Sequence, residues 1–159
     1  MNRRLRGPVG LLVGLVVVAV LAAAVAPSLL ITGYETTTVE AVDAKSGEPL
    51  ATVEARVADG PIKRYVGLSA TDDLAPDEGM VFVHDEAGEY GYVMRDMGFG
   101  IDIVFADADG EITVIHEAKP ESRPLTTYRG TGRYVLEVPL GWSAEHGVEP
   151  GDRLVIERS

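Results

Sequence analysis

A run of 25 residues without a charged side chain, from Gly7 to Ile31, lies near the N-terminus. A helix rises about 1.5 Å per residue, so roughly 20 apolar residues cross a ~30 Å hydrocarbon core. The run is longer than that and has no polar face, which predicts a single transmembrane helix over residues 7–31. Three arginines (Arg3, Arg4 and Arg6) precede it. By the positive-inside rule we expect residues 1–6 to stay in the cytoplasm and the rest of the chain to lie outside the cell membrane.

A cleaved secretory signal is the alternative interpretation of the same run. Ala24-Val25-Ala26 has the small-x-small pattern that signal peptidases accept. Pro27 follows it directly, and the apolar run exceeds a normal signal core. We therefore predict an uncleaved anchor and keep cleavage as the alternative. The pair Arg3-Arg4 lacks the flanking residues of a twin-arginine export signal.

The chain after the anchor is strongly acidic. Residues 35–159 contain all 25 acidic residues but only 11 of the 14 basic ones, which gives a net charge of −14. Phosphate contacts need a basic surface, so a nucleic-acid partner is not expected. Many carboxylates and only three lysines suit a protein that stays soluble in concentrated salt, and we hypothesise a halophilic, archaeal source. The absence of cysteine excludes disulfides and thiolate chemistry.

The acidic part of the chain is predicted to be mainly β. Residues 32–50 are expected to form a tether with one short strand at Thr37–Val42, and residues 51–157 the folded domain. Its predicted strands are 51–57, 80–84, 90–95, 101–105, 112–116, 134–138 and 154–156, and its two short helices span 61–68 and 143–148. Short strands separated by turns favour a small barrel or sandwich.

Motifs that would identify a common enzyme are absent. The sequence has no G-x-S-x-G elbow, zinc-binding H-E-x-x-H helix or phosphate-binding G-x-x-x-x-G-K loop. Asp107–Gly110 resembles the start of a calcium loop, but His116 stands where the loop needs a glutamate, so a turn is predicted. The other histidines, His84 and His146, are dispersed. No metal site or cofactor is predicted.

Charged residues inside apolar segments are the candidates for a binding site. Asp102 lies between two isoleucines and Glu137 between Leu136 and Val138, where an ionised group is costly unless it is paired. Arg95 is the expected partner. Either Arg95 forms a buried ion pair with Asp102 or Glu137 that sets strand register, or it offers a bidentate donor to a carboxylate, phosphate or sugar hydroxyl in a pocket. The candidate binding residues are Tyr92, Met94, Arg95, Asp96, Asp102 and Glu137.

Several of these segments together resemble the domain of unknown function family 192 (DUF192). The resemblance spans about residues 51–156 and is carried, in order, by Gly67-Leu68, Gly79-Met80-Val81-Phe82, Met94-Arg95-Asp96, Ile101-Asp102-Ile103-Val104-Phe105, Arg133-Tyr134-Val135-Leu136-Glu137-Val138-Pro139, Gly141-Trp142 and Gly151-Asp152. It implies a compact β-rich domain, often exported or membrane-tethered, with no established activity. Where the family usually has Phe-Trp-Met-Lys-Asn-Thr, residues 92–97 read Tyr-Val-Met-Arg-Asp-Met, so a ligand stacked on that Trp is not expected here.

These observations predict a membrane-anchored extracytoplasmic domain that acts as a non-catalytic binding or envelope-support module. Its expected partners are the membrane, through residues 7–31, and a small polar or anionic ligand. The alternative is a hydrolase of a sugar or cell-surface polymer that uses Asp96 and Glu137 as acid and base, which requires both carboxyls to face one cleft. A structural role in a membrane complex would instead require a large exposed apolar patch.

Overall fold

A computed structural model describes residues 33–157 of the chain. The predicted anchor, residues 7–31, lies outside the described residues. Within residues 33–157, no helix combines the length and the apolar character needed to cross a membrane.

The described residues form a curled, half-barrel sheet of seven strands with two short α-helices, which confirms the mainly β prediction. The strand order across the sheet is β5-β4-β6-β3-β2-β1-β7, and all neighbours are antiparallel except β2 and β3. The elements are β1 (Thr36–Val42), β2 (Pro49–Ala58), α1 (Pro61–Val66), a 3-10 turn (Gly67–Ala70), β3 (Glu78–Tyr92), β4 (Ile101–Ala106), β5 (Ile112–Ala118), β6 (Tyr128–Pro139), α2 (Trp142–His146) and β7 (Arg153–Ile156).

The two edge strands, β5 and β7, meet at one end of the sheet. The backbone N–H of Leu154 donates to the carbonyl of Gly110 at 2.8 Å, and the N–H of Ile112 donates to the carbonyl of Asp152 at 2.8 Å. Each bond joins the start of one edge strand to a residue just before the other, so the edges of the half-barrel meet there without a continuous ladder. This contact shortens the exposed edges, which could otherwise pair with another chain.

The sheet carries an apolar cluster on each face because alternate residues of a strand point to opposite sides. In β4, Val104 belongs to one cluster while Ile103 and Phe105 belong to the other. The first cluster, which includes Trp142, fills the face covered by α2. The second cluster lies under the 3-10 turn and the segment that follows β3, and the candidate site is on this face.

The strand expected within the tether is an integral part of the sheet. β1 pairs with β2 along its whole length and with β7 on its other side. The side chain of Val39 is buried in the first cluster. The sheet therefore begins at Thr36, inside the segment 32–50, and not at Ala51.

The third strand corrects one expectation about secondary structure. The sequence predicts two separate strands here, 80–84 and 90–95, but β3 is continuous from Glu78 to Tyr92. Its register against β6 shifts between Val83, which is opposite Tyr134, and Gly88, which is opposite Gly132. Four residues of β3 therefore bulge out against a single residue of β6. The partner strand is correspondingly longer than residues 134–138.

The first helix begins where the sequence indicated. Pro61 occupies its first turn, where a proline costs no hydrogen bond. The carboxylate of Asp59 does not cap the helix, and instead pairs with Lys63 at 3.2 Å. Gly67 ends the helix at φ 50°, and the chain continues as the 3-10 turn. This turn brings Leu68 into the second cluster beside the candidate site.

Candidate ligand-binding site

A cavity of about 450 Å³ lies between α1 with its 3-10 turn, the second half of β3 and the segment after β3. Four of the six residues proposed from the sequence line it: Tyr92, Met94, Arg95 and Glu137. Further lining residues include Arg64, Tyr65, Phe82, His84, Tyr90 and Ile101. The cavity is thus mostly apolar and aromatic with a few polar groups, as small-molecule sites usually are.

The carboxyl of Glu137 is the most deeply buried polar group of this cavity. β6 pairs with β3 on one side and β4 on the other, which places Glu137 opposite Met80 and Ile103 in the centre of the sheet. The residue is 6% exposed. None of the side-chain hydrogen bonds or ion pairs within residues 33–157 involves its carboxyl. Burial raises the pKa of Glu137 to about 8, so the group is mostly protonated at neutral pH.

The bulge in β3 brings three aromatic rings together at the cavity wall. The imidazole of His84 stacks on the Tyr90 ring with their centroids 3.5 Å apart. The Nε2 of His84 and the hydroxyl of Tyr92 lie 2.9 Å apart and share a hydrogen bond. Tyr92 also packs edge-on against Phe82 at 5.0 Å. These contacts fix the phenol of Tyr92 inside the cavity.

The surroundings of Tyr92 and His84 shift the pKa values of both side chains. Burial and then the nearby Glu137 carboxyl raise the pKa of Tyr92, so its phenol stays protonated. Burial, followed by the positive charge of Arg64, lowers the pKa of His84, and Asp85 opposes this. The imidazole is therefore neutral at neutral pH. The cavity consequently presents uncharged hydrogen-bonding groups at Tyr92, His84 and Glu137.

The guanidinium of Arg95 lies at the cavity without the acidic partner expected for it. It stacks 4.0 Å from the centroid of the Tyr65 ring and donates a hydrogen bond to the backbone carbonyl of Tyr65. No ion pair within the described residues joins it to Asp102 or Glu137. The expected buried ion pair is therefore wrong, because stacking on α1 holds Arg95 away from both carboxyls.

Asp102 lies on the other face of the sheet from Glu137 and serves a structural purpose. Its Oδ1 accepts the N–H of Gly141 at 2.9 Å, and its Oδ2 accepts the N–H of Ser143 at 2.8 Å. These N–H groups belong to the start of α2 and have no partner within the helix. Asp102 thus caps α2 from a neighbouring strand, and it does not line the cavity.

Asp96 lines a different, smaller cavity with Glu121 and Arg123, and it is exposed. Its backbone has φ 56°, a left-handed conformation that Asp tolerates better than most residues. Arg95 lies between the two cavities and lines both. The structure therefore does not bring Asp96 and Glu137 to one cleft.

Sequence reasoning missed the aromatic wall. The sequence identifies His84 only as one of the dispersed histidines, and it does not single out Tyr90. A histidine directly after the apolar residues 80–83 and two tyrosines spaced by one residue were the available signals. Their meaning depends on the bulge, which no local pattern announces.

A larger cavity of about 710 Å³ opens where β7 and the β4–β5 turn approach. Its charged lining residues include Arg153 and Glu157, both of which are exposed to solvent. None of the charged side chains that line this larger cavity is buried. It therefore differs from the cavity at Glu137 in size but offers no buried charged group for a ligand. We therefore place the candidate site at Glu137.

Comparison with known proteins agrees with the half-barrel fold and identifies the family. The family model of DUF192, described as "Uncharacterized ACR", matches residues 41–156, and the chain belongs to this family. The curated proteins contain no match to the chain.

Two solved structures have a similar fold. One is a Sinorhizobium meliloti protein described as a "putative transcription regulator", with 31% identity and a TM-score of 0.72 over 79% of this chain and 97% of that one. The other is a protein of unknown function from Novosphingobium aromaticivorans, with 25% identity and a TM-score of 0.69 over 79% of this chain and 88% of that one.

Proposed function

We propose that the chain is a membrane-anchored, extracytoplasmic binding module that holds a small ligand in the cavity around Glu137. The observation that carries this proposal is that Glu137 is 6% exposed and lines a cavity, and that its carboxyl forms no ion pair within the described residues. A ligand that reaches the cavity would supply the missing hydrogen bond or charge. The uncharged run at 7–31, with arginines before it, supports the anchor and the outward orientation.

Stability does not account for a glutamate at this position. Burying a polar group without a partner costs about 1–3 kcal/mol, and a well-packed apolar side chain would avoid that cost. Groups with strongly shifted pKa values in cavities are candidates for function for this reason. Glu137 meets both conditions, since its pKa is raised to about 8 and its side chain lines the cavity.

Binding rather than catalysis is favoured by the arrangement around Glu137. Acid–base hydrolysis of a glycosidic bond needs two carboxyls about 5–9.5 Å apart across the substrate. Among the described residues, Glu137 is the only carboxyl that lines this cavity, and Asp96 lines another. The other lining side chains are mostly aromatic, apolar or basic, and they can contact a ligand but supply no second carboxyl for this hydrolysis.

Nucleic-acid binding, suggested by the description of the Sinorhizobium protein, is not part of the proposal. That description applies to a protein with 31% identity. Residues 35–159 of this chain carry a net charge of −14, which repels phosphate backbones.

A ligand screen on the full-length chain tests the binding proposal. Thermal shift would be measured at pH 7 with acetate, glycerol, glucose, choline, trimethylglycine and phenol, for the wild-type chain and for Glu137→Leu. We expect at least one compound to raise the melting temperature of the wild type by about 2 °C or more, as mass action requires of a bound ligand. Glu137→Leu removes the polar group and should abolish that shift.

The matched control is Glu117→Leu, because Glu117 is an exposed glutamate on β5. It should respond to each compound as the wild type does. A ligand-induced shift of equal size in Glu137→Leu would show that Glu137 is not part of the site. No shift with any compound would remove the support for a small-ligand site.

A further inference from the structure

The cavity contains two groups of opposite charge type that do not contact each other. Glu137 is buried against the sheet, whereas Arg95 is placed by α1 and the segment after β3. They line the same cavity, yet they form no ion pair in residues 33–157. A ligand that contacts both must therefore present complementary groups at two separated points.

Arg95 has donors left for a ligand. A guanidinium carries five N–H donors in a planar fork. The hydrogen bond to Tyr65 uses one of them, and stacking on the Tyr65 ring holds the plane in place. The remaining donors suit a carboxylate, which guanidinium groups bind in a bidentate manner. Arg64, the other arginine of this cavity, already donates to the carbonyls of Asp59 and Val83 at 2.8 Å.

The surroundings of Glu137 suit the opposite end of a ligand. A cation is stabilised by a carboxylate and by the faces of aromatic rings within about 6 Å. The cavity lining combines Glu137 with Phe82, Tyr90 and Tyr92, whereas the Tyr65 ring is already occupied by Arg95, and His84 covers one face of Tyr90. A buried carboxyl that lacks a cationic partner in the described residues gains one when such a ligand binds.

We infer that the ligand is a small zwitterion whose ammonium group lies against Glu137 and whose carboxylate lies against Arg95. This inference rests on the proposed binding function and specifies its ligand class. It refines the earlier expectation of a small polar or anionic ligand, because the anionic end accounts for Arg95 and the cationic end accounts for Glu137.

Binding of the cationic end should release a proton from Glu137, whose carboxyl is mostly protonated in the free protein at neutral pH. Affinity should then rise by up to tenfold per pH unit between pH 6.5 and 7.5 and level off above pH 8. The other ionisable groups around the cavity are Arg64 and Tyr65 on α1, His84, Tyr90 and Tyr92 on β3, and Arg95 after β3. His84, with its lowered pKa, is neutral in this range, so Glu137 dominates the pH dependence.

Isothermal titration of the full-length chain with three related compounds tests this inference. Trimethylglycine carries both charges, choline carries only the quaternary ammonium, and 3,3-dimethylbutanoate has the shape of trimethylglycine with a neutral tert-butyl group. The quaternary ammonium does not titrate, so a pH dependence reports on the protein. We expect trimethylglycine to bind at least tenfold more tightly than either of the other two.

Two variants separate the ends of the ligand. Glu137→Gln should remove the rise in trimethylglycine affinity with pH. Arg95→Gln should weaken the binding of trimethylglycine at least tenfold and leave the affinity for choline unchanged. Glu117→Gln, on the exposed side of β5, is the control and should behave as the wild type.

The outcomes distinguish the inference from the binding proposal. If 3,3-dimethylbutanoate binds as tightly as trimethylglycine or more tightly, the inference of a zwitterionic ligand is overturned. The cavity would then be a binding site for an anion. Binding of a neutral compound from the screen, with none of these three bound, would also overturn the inference and leave the binding proposal intact. If neither set of compounds binds, both proposals are contradicted.

Discussion

Replacing Asp102 with alanine is expected to lower the free energy of unfolding by about 3–5 kcal/mol. Hydrogen bonds to a charged group contribute about 1.5–3 kcal/mol each, and the carboxylate of Asp102 accepts two of them from the start of α2. The side chain is 1% exposed, so water cannot easily replace the lost acceptor. Chemical denaturation of the full-length chain, followed by the fluorescence of Trp142 in α2, measures the change.

Two further variants make this prediction specific to the cap. Asp102→Asn keeps one acceptor oxygen but turns its NH2 group toward the other backbone N–H, so it should lose at least half as much stability. Asp85→Ala removes an aspartate whose side chain is 91% exposed and should change stability by less than about 0.5 kcal/mol. If Asp102→Ala is as stable as Asp85→Ala, the carboxylate does not hold α2 and its placement needs another explanation.

Replacing Gly110 with alanine is expected to cost about 3 kcal/mol or more, through two separate effects. The backbone at Gly110 has φ 87°, where a side chain adds about 1–2 kcal/mol of strain. A β-carbon there would also overlap the carbonyl oxygen of Leu154, which is part of the backbone and cannot rotate away. Relieving that overlap would separate the two edges of the sheet where they close.

Gly141→Ala isolates the second effect. Gly141 has nearly the same backbone angle, φ 86°, but no atom lies within 4 Å of a β-carbon built there. Gly141→Ala should lower the free energy of unfolding by only about 1–2 kcal/mol, which is the cost of the backbone strain. Thermal and chemical unfolding of both variants gives the comparison. Equal losses in the two variants would show that contact between the sheet edges at Gly110 adds nothing.

The local elements of this fold could be predicted because their signals are local. Alternation identified the strand that became β2, the turn at Asp107–Gly110 identified the β4–β5 hairpin, and Pro61 identified the start of α1. The long β3 strand was predicted as two strands, because Gly88 resembles a turn residue. Whether such a glycine ends a strand or sits in a bulge depends on β6, which is distant in sequence.

Only part of the candidate site could be predicted, because the site also depends on how strands distant in sequence are paired. Arg95 and Glu137 were expected as an ion pair, but they line one cavity without forming one. Asp102 was grouped with them because it is also a charged residue in an apolar strand. Alternation along β4 turns Asp102 away from Ile103, and the pairing of Ile103 with Glu137 places Glu137 on the opposite face. That distinction needs the register between two strands, which the sequence alone does not contain.

Glu137 lies in the cavity as a buried carboxyl that forms no ion pair within residues 33–157. Its titration can be followed directly through the ¹³C shift of its carboxyl carbon in the full-length chain, with Glu137→Gln used to assign the signal. We predict a midpoint near pH 8, against an ordinary value of 4.5, because burial disfavours the charged form. A midpoint close to 4.5 would mean that water or another group already satisfies the carboxyl, and it would contradict the proposed site.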